Sequence, residues 1–359
     1  MQKKKILRLT TLLDFGGQEK QYLSFTEKPE LLQHHYVFAA IGFGGNAEGI
    51  LRERGFEVYI FNRKFAIKNI LNIWTVYKFI KKIKPDVVHT AAAEANFHGI
   101  IAAKLAGVKI IVGEEIGIPN HSPIAIKIFK LVYKLADKII CVSKSVKDHL
   151  IIIGEIPSYK GEVIYNPVSI PSQFPQQKSD NFKIVYVGRL ESVKNVEILI
   201  KAFSNIENNN AILTIVGDGR ERSNLELLVK KLNLKSRITF AGFSSEPSKY
   251  VSSANLFVLP SFSEGFGIAA VEAMFLKVPV LGSRVGGIPE FISDNKNGWL
   301  FDPKNQNELE SKLKMIMSMD DADREKIGKK AYEDVIEKFT VKMYVNNLEK
   351  FYESFNPPI

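Results

Sequence analysis

Twice along the chain, short apolar runs alternate with helix-length segments, and this doubled alternation limits the fold more than any other feature. The first set lies at 5–11 (KILRLTT), 36–42, 56–62, 86–91, 109–114 and 138–143 (KIICVS). The second lies at 182–190 (FKIVYVGRL), 211–219, 237–243, 255–261, 278–283 and 297–302. Helices are expected between them, for instance over 68–84 and 123–136, and a last one over 339–355. Nearly continuous apolar strands separated by helices predict parallel sheets covered on both faces. A length of 359 residues exceeds what one core usually organises. The expected fold class is therefore α/β, with two doubly wound Rossmann-like domains facing across a cleft. The first domain is placed at 1–168. A linker follows at 169–180, in the Pro-, Ser- and Gln-rich stretch NPVSIPSQFPQQKSDN. The second domain is placed at 181–338, and the final helical segment at 339–359.

Composition narrows the class of function. Hydrophobic residues make up 45% and charged residues 25%, as in ordinary soluble domains. A single cysteine, Cys141, rules out an internal disulfide; its strand-like setting reads as a small buried hydrophobe. The opening MQKKKILRLTTLL is too short an apolar stretch for a signal peptide, and no apolar run of transmembrane length occurs. A cytoplasmic protein is expected. The net charge of +10 is uneven: residues 1–170 hold 24 Lys and Arg against 15 Asp and Glu, while the remainder holds 25 against 24. The first half thus meets something negative or carries a solvated basic face.

Parallel α/β sheets bind ligands at the carboxyl ends of their strands, so function is sought there. Four such places carry chemistry. Gly16 and Gly17 follow the first strand and open a helix, where backbone amides approach an anion closely. In YVGRLESVKN, Gly188 ends a strand and Arg189 and Lys194 flank the loop; a guanidinium fork and an ammonium together match a diphosphate. VGDG places Gly217 in a third turn, and Gly242-Phe243 ends a further strand. In PSFSEGFGIAAVEAM, Glu264 sits in a Gly-rich loop and Glu272 lies inside the apolar helix that follows. A carboxylate among apolar neighbours needs donors, and the two hydroxyls of a ribose supply them; a buried Lys or Arg would serve equally for Glu272 alone. The amides of Phe266, Gly267 and Ile268 open that helix. His89 follows PDVV at an expected strand end and, with Glu115, is a candidate on the acceptor side. His34 and His35 precede a strand and are expected at the surface.

VGRLESVKN, PSFSEGFGIAAVEAM and GSRVGGIPEFI together resemble the retaining nucleotide-sugar glycosyltransferases of family 4, which have the GT-B fold. The Glu-x7-Glu signature matches Glu264 and Glu272, and DFGGQE matches the family's Gly-Gly loop. The resemblance covers the whole chain and is strongest over 182–302. It implies that Arg189 and Lys194 grip the donor diphosphate, with Gly16 and Gly17 closing on it. It implies that Glu264 contacts the transferred sugar and Glu272 the ribose, with Phe266, Gly267 and Ile268 on sugar or phosphate oxygens. Gly242 and Phe243 would lie near the base. The last helix would cross back to the first domain. The leaving phosphate would deprotonate the acceptor on the same face, so electrostatic stabilisation is the main protein contribution. No cofactor is implied: the UDP- or GDP-linked sugar is a substrate. No Asp-x-Asp motif or His cluster suggests a metal. The chain departs from the family where many members carry a His after the fifth strand; IIVGEEIGIPNHS stands there, and Glu115, His89 and His98 compete for the role.

The expected partners are a nucleotide-sugar donor and a saccharide or lipid-linked acceptor of surface polysaccharide or glycolipid synthesis. An anionic membrane surface on the cytoplasmic face is a further expected partner. Residues 65–84 hold Lys68, Lys78, Lys81, Lys82 and Lys84 with no acid, and Ile70, Ile73, Trp74, Tyr77 and Ile80 recur at helical spacing. Lys127, Lys130 and Lys134 share a face of the segment 124–136. Three readings compete. A GT-B nucleotide-sugar epimerase would use the same donor motifs. A basic nucleic-acid-binding protein would leave those motifs unexplained, and nucleic acid is not expected as a partner. A Rossmann dehydrogenase wants G-x-G-x-x-G after the first strand, which DFGGQEK does not supply.

Overall fold

The computed structural model describes residues 3–172, 174, 181–207 and 210–355. The chain divides into two compact units, residues 1–167 with 341–359, and residues 168–340. Much of the linker expected at 169–180 lies outside the described residues.

The first unit is built on seven strands: β1 (Lys5–Thr10), β2 (His35–Ala40), β3 (Glu57–Ile60), β4 (Val87–Ala91), β5 (Ile110–Glu115), β6 (Lys138–Cys141) and β7 (Gly161–Val163). Their order is β3-β2-β1-β4-β5-β6-β7, and every pairing is parallel. Helices α1 (Gly17–Phe25), α2 (Asn46–Glu53), α3 (Leu71–Ile83), α4 (Ala93–Ala106), α5 (Pro123–Leu135) and α6 (Lys144–Ile152) make the crossovers. The expected strands are present, and β7 is added; GEV is too short and too polar to register as an apolar run.

The second unit repeats the plan with β8 (Phe182–Val187), β9 (Ala211–Val216), β10 (Ile238–Gly242), β11 (Leu256–Leu259), β12 (Val280–Ser283) and β13 (Trp299–Phe301), in the order β10-β9-β8-β11-β12-β13. Its helices are α7 (Val196–Ser204), α8 (Arg222–Lys231), α9 (Ser248–Val251), α10 (Ile268–Phe275), α11 (Gln306–Ser318) and α12 (Asp321–Ile336). In both sheets the order reverses beside the first strand, which sets a ligand-binding crevice at the carboxyl ends of β1 and β4, and of β8 and β11. All the motif loops leave strands at such ends.

The last helix, α13 (Val341–Glu353), packs into the first unit: Val341, Tyr344, Val345, Leu348, Phe351 and Tyr352 join the core formed by Tyr22, Phe25, Tyr36 and Phe38. Its polar side reaches a buried network. Arg8, in the middle of β1, donates to Glu114 Oε2 at 2.8 Å and to His89 Nδ1 at 3.0 Å. His89 Nδ1 also lies 2.6 Å from the Tyr352 hydroxyl, and its Nε2 lies 3.1 Å from Glu114 Oε2. The pattern requires the Nε2–H tautomer, with Nδ1 accepting from Arg8 and Tyr352. Burial and the Arg8 charge lower the His89 pKa to about 4, so the ring is neutral. Against the cost of burial, Arg8 and His89 hold Glu114 down at about 2. His34 is buried rather than at the surface, with Nε2 at 3.3 Å from Glu349 of α13; His35 is half exposed beside Glu57.

Removing one member of a buried pair leaves an uncompensated charge, so Arg8→Met is expected to cost about 3–5 kcal/mol of unfolding free energy in a denaturant titration. The double variant Arg8→Met/Glu114→Met should cost less than the single one. Both depressed pKa values carry the same sign. The His89 contribution is present above its ordinary 6.5 and is lost as pH falls through about 4; that of Glu114 is present above 4.5 and is lost through about 2. The denaturation midpoint should therefore fall from pH 6.5 toward pH 2, and fall less steeply in the double variant.

Candidate active site

In the second unit three glycines close the strand ends by backbone contact. The amide of Gly188 donates to Val216 at 3.0 Å and that of Gly217 to Gly242 at 2.8 Å, linking the ends of β8, β9 and β10. Gly217 has φ +134°, and a Cβ there would meet the Gly188 carbonyl oxygen at 1.9 Å. No other residue allows that approach. The loop from Gly188 to Asn195 then runs along this edge. Asn195 holds a left-handed conformation and caps the loop from below, donating from Nδ2 to the carbonyls of Pro260 at 3.2 Å and Pro303 at 2.9 Å. This brace ties the loop after β8 to the end of β11, and with it Lys194 to the motif at Glu264.

Lys194 Nζ lies 2.6 Å from Glu264 Oε2, and Ser261 donates to the same oxygen at 3.3 Å. The sequence reading gave Lys194 to a diphosphate and Glu264 to a sugar; the fold joins them as one ion pair, mostly buried. Arg189 is exposed, and among the described residues its guanidinium has no hydrogen-bond or ion-pair partner. A fixed cation and an unpartnered one thus flank the same strand end. Gly267, in a left-handed conformation at φ +104°, starts α10; the Ala270 amide turns back to the Gly267 carbonyl at 3.0 Å, and those of Ile268 and Ala269 have no acceptor within the helix. The Phe266 side chain is core, packed on Phe291 and Phe339 at centroid distances of 5.6 and 5.1 Å, so only its backbone is placed for a ligand. Glu272 lies half-buried one turn into α10, and Phe243 stands exposed past β10. Beside the loop after β8 a pocket of about 520 Å³ is lined by Glu191, Ser192, Asn195, Glu221, Asn224 and Leu228 among others; Arg189, Lys194, Glu264 and Glu272 are not in its lining.

In the first unit, Gly16 and Gly17 are exposed at the end of β1, and Gly17 begins α1. The two acceptor-side candidates are not open to a ligand. His89 sits in mid-strand rather than at a strand end, wholly buried in the Arg8 network. Glu115 ends β5 but is 4% exposed, bonded to the Tyr133 hydroxyl and to Asn96 Nδ2. Burial raises its pKa to about 7. His98 is buried as well. Periodicity could not show this: a polar residue near the end of an apolar run looks the same in sequence whether it faces a ligand or a buried partner. Nearby, His121 Nδ1 lies 2.6 Å from Glu155 and its ring stacks on Phe129 at 4.5 Å, which pins the loop after β5. Asn195 and Ser261 were missed; their only local signal is an Asn at a helix start and a Ser three residues before Glu264.

Among the described residues no group of His, Cys, Asp and Glu is arranged to hold a metal, and no helix is long and apolar enough to cross a membrane.

The doubled Rossmann-like architecture with these strand-end motifs defines a GT-B type protein. The model for glycosyltransferase family 4 matches residues 15–170, and that for glycosyl transferases group 1 matches residues 170–334. The chain belongs to this glycosyltransferase family. It is 36% identical over 222 residues to an uncharacterised glycosyltransferase of Methanocaldococcus jannaschii; the alignment covers 56% of this chain and 56% of that relative, a little over half its length. It is 27% identical over 312 residues to an Escherichia coli UDP-Gal:alpha-D-GlcNAc-diphosphoundecaprenol alpha-1,3-galactosyltransferase, with 80% of each covered. The crystal structure of Anabaena HepE in complex with UDP and glucose superposes with a TM-score of 0.86 at 22% identity, over 98% of this chain and 100% of that one, and so shares the fold.

The raised Glu115 pKa has a testable sign. The folded value of about 7 lies above the ordinary 4.5, so the protonated carboxyl favours the fold at low pH, and that stability is lost as pH rises through about 7. Glu115→Gln should match wild type near pH 4 and be the more stable at pH 8, by at most about 3 kcal/mol, in paired denaturant titrations.

Proposed function

We propose that the protein transfers a sugar, with retention of configuration and without a metal, from a nucleotide-diphosphate sugar to a saccharide or lipid-linked acceptor in polysaccharide or glycolipid synthesis. The observation that carries this is the strand end where the Lys194–Glu264 pair stands beside the unpartnered Arg189 and the N-terminus of α10. Arg189 and Lys194 neutralise the diphosphate as it departs, and Gly188 and Gly217 let the phosphates approach the backbone. Glu264, already fixed by Lys194 and Ser261, orients the transferred sugar. Glu272 takes the ribose hydroxyls, Gly267, Ile268 and the Phe266 amide take sugar or phosphate oxygens, and Gly242 and Phe243 lie by the base. In the first unit Gly16 and Gly17 offer exposed backbone amides to an anion, and the strand ends of that unit take the acceptor. His89 and Glu115 support the fold rather than touching substrate.

The first unit also supports docking on an anionic membrane. Val76, Phe79 and Ile80 of α3 turn inward, while Leu71, Trp74 and the adjoining Ile70 stay more than half exposed. Trp74 stacks on Tyr77 at 4.9 Å under the ammonium of Lys78. On α5, Ile124 and Leu131 are exposed beside Lys127, Lys130 and Lys134. An aromatic and aliphatic surface ringed by lysines suits a lipid interface, each lysine adding about 1 kcal/mol near an anionic leaflet.

Glu272→Gln should weaken UDP binding about tenfold or more in calorimetric titration, since a charge-assisted hydrogen bond contributes about 1.5–3 kcal/mol. Arg189→Ala should lower kcat on the order of 100-fold while leaving uridine monophosphate binding nearly unchanged. Wild-type turnover in that variant, or loss of activity in EDTA, overturns the electrostatic, metal-free mechanism. In co-sedimentation, the protein should bind phosphatidylglycerol vesicles at low salt, release at high salt, and ignore neutral vesicles; equal binding to both kinds overturns the membrane assignment.

A further inference from the structure

The carboxyl ends of β1, β2 and β3 are laced into one platform. The amide of Leu13 donates to Phe43 at 3.0 Å, Gly42 to Thr11 at 2.8 Å, Asn62 to Gly42 at 3.1 Å and Arg63 to Ile41 at 3.0 Å. A Cβ at Gly42 would meet Leu12 at 2.7 Å and Phe65 at 2.8 Å, so the three loops are in close contact. Two large aromatic side chains stand out from this platform into solvent, Phe15 at 57% and Phe43 at 54% exposure.

Arg63 is held differently from a surface arginine. Its Nε donates to Asn72 Oδ1 at 3.0 Å, and Asn72 is wholly buried at the start of α3, where its Nδ2 donates to the Lys64 carbonyl at 2.9 Å. That brace fixes the guanidinium plane, while the two terminal NH2 groups have no partner among the described residues. Among the described residues no carboxylate pairs with Lys64 or Lys68 on the same loop. The acids around the platform are already engaged: Asp14 accepts from the Asn46 amide at 3.0 Å, Glu48 pairs with Arg52 at 3.0 Å, and the Thr11 hydroxyl reaches Glu94 at 3.4 Å. A planar, pre-oriented fork with its terminal donors unused matches the oxygens of a phosphate.

We propose that this platform recognises a phosphate on the acceptor, with Arg63 on the phosphoryl oxygens, Lys64 adding charge, and Phe43 covering an apolar face of the adjoining sugar. The acceptor class is then a sugar joined to a lipid through phosphate or diphosphate, not a neutral saccharide. This rests on the reading that the first unit takes the acceptor.

The test is equilibrium binding to the full chain with the donor site filled by UDP. The probes are detergent-solubilised undecaprenyl-diphosphate N-acetylglucosamine and undecaprenyl N-acetylglucosaminide, which share the sugar and the lipid and differ in the diphosphate. The wild type is expected to bind the diphosphate probe at least tenfold more tightly. Arg63→Gln should remove that preference and leave glycoside binding unchanged, while Phe43→Ala should weaken both probes alike. Lys64→Gln, at an exposed side chain clear of Asn72, should lower the preference in part, independently of any effect of Arg63→Gln on folding. Equal wild-type affinity for the two probes, or an equal loss of both in Arg63→Gln, overturns the proposal. So does a loss confined to phosphatidylglycerol vesicles, which makes Arg63 a headgroup contact. A thermal shift with UDP separates the two readings: its absence, with the Arg63-dependent preference intact, defeats the donor site and not this one.

Discussion

The first unit depends on an ion pair placed inside its sheet. Arg8 points from the centre of β1 into the core and meets Glu114 of β5, and both side chains are wholly excluded from solvent. Burying two charges is costly unless every remaining donor and acceptor is engaged. The structure engages most of them: His89 and Gln21 complete Glu114, and Tyr352 closes the network from α13. The last helix is therefore bound to the unit by more than apolar packing. A chain that leaves the first unit at Pro167 and returns at Val341 has to secure its return, and the Tyr352–His89–Arg8 contacts do so at a single address. An apolar helix surface alone would accept many registers.

The second unit solves a different problem, bringing cation and carboxylate to one strand end. Its means is close backbone approach. Gly188, Gly217 and Gly242 remove side chains where three loops meet, and Asn195 then ties the loop after β8 to the end of β11. Lys194 and Glu264 are 70 residues apart in the chain and 2.6 Å apart in space because of that brace. The pair fixes the Glu264 carboxylate and leaves Arg189 as a cation with no partner among the described residues. In the proposed reaction this division suits a substrate whose sugar must be held still while the charge on its leaving group grows.

The same contrast between engaged and unengaged groups separates structure from function in the first unit. His89 looked like a site residue as a polar group at an expected strand end, and Glu115 and His98 as competitors for the family's histidine, yet each is buried, His89 and Glu115 in hydrogen-bonded networks. Arg63 drew no attention in the sequence, one basic residue among many, yet it is a braced cation with unused donors. Burial and the state of hydrogen bonding, not residue type, distinguish them.

What the sequence determined by itself was whatever lies within a few residues of chain. The alternation of apolar runs and helices specified two parallel sheets, because a strand buried on both faces must be apolar throughout. The contiguous motifs at 188–195 and 264–272 specified a strand, a Gly-rich turn and a helix start, each readable from local backbone demands. The tertiary structure alone decided which polar residues are paired. Arg8 and Glu114 are 106 residues apart, and His89 and Tyr352 are 263 apart. The three-residue strand β7 likewise exists only because β6 offers it an edge to pair with. Charge pairing and edge pairing are long-range contacts made after the chain has folded back on itself, and no periodicity in the sequence encodes them.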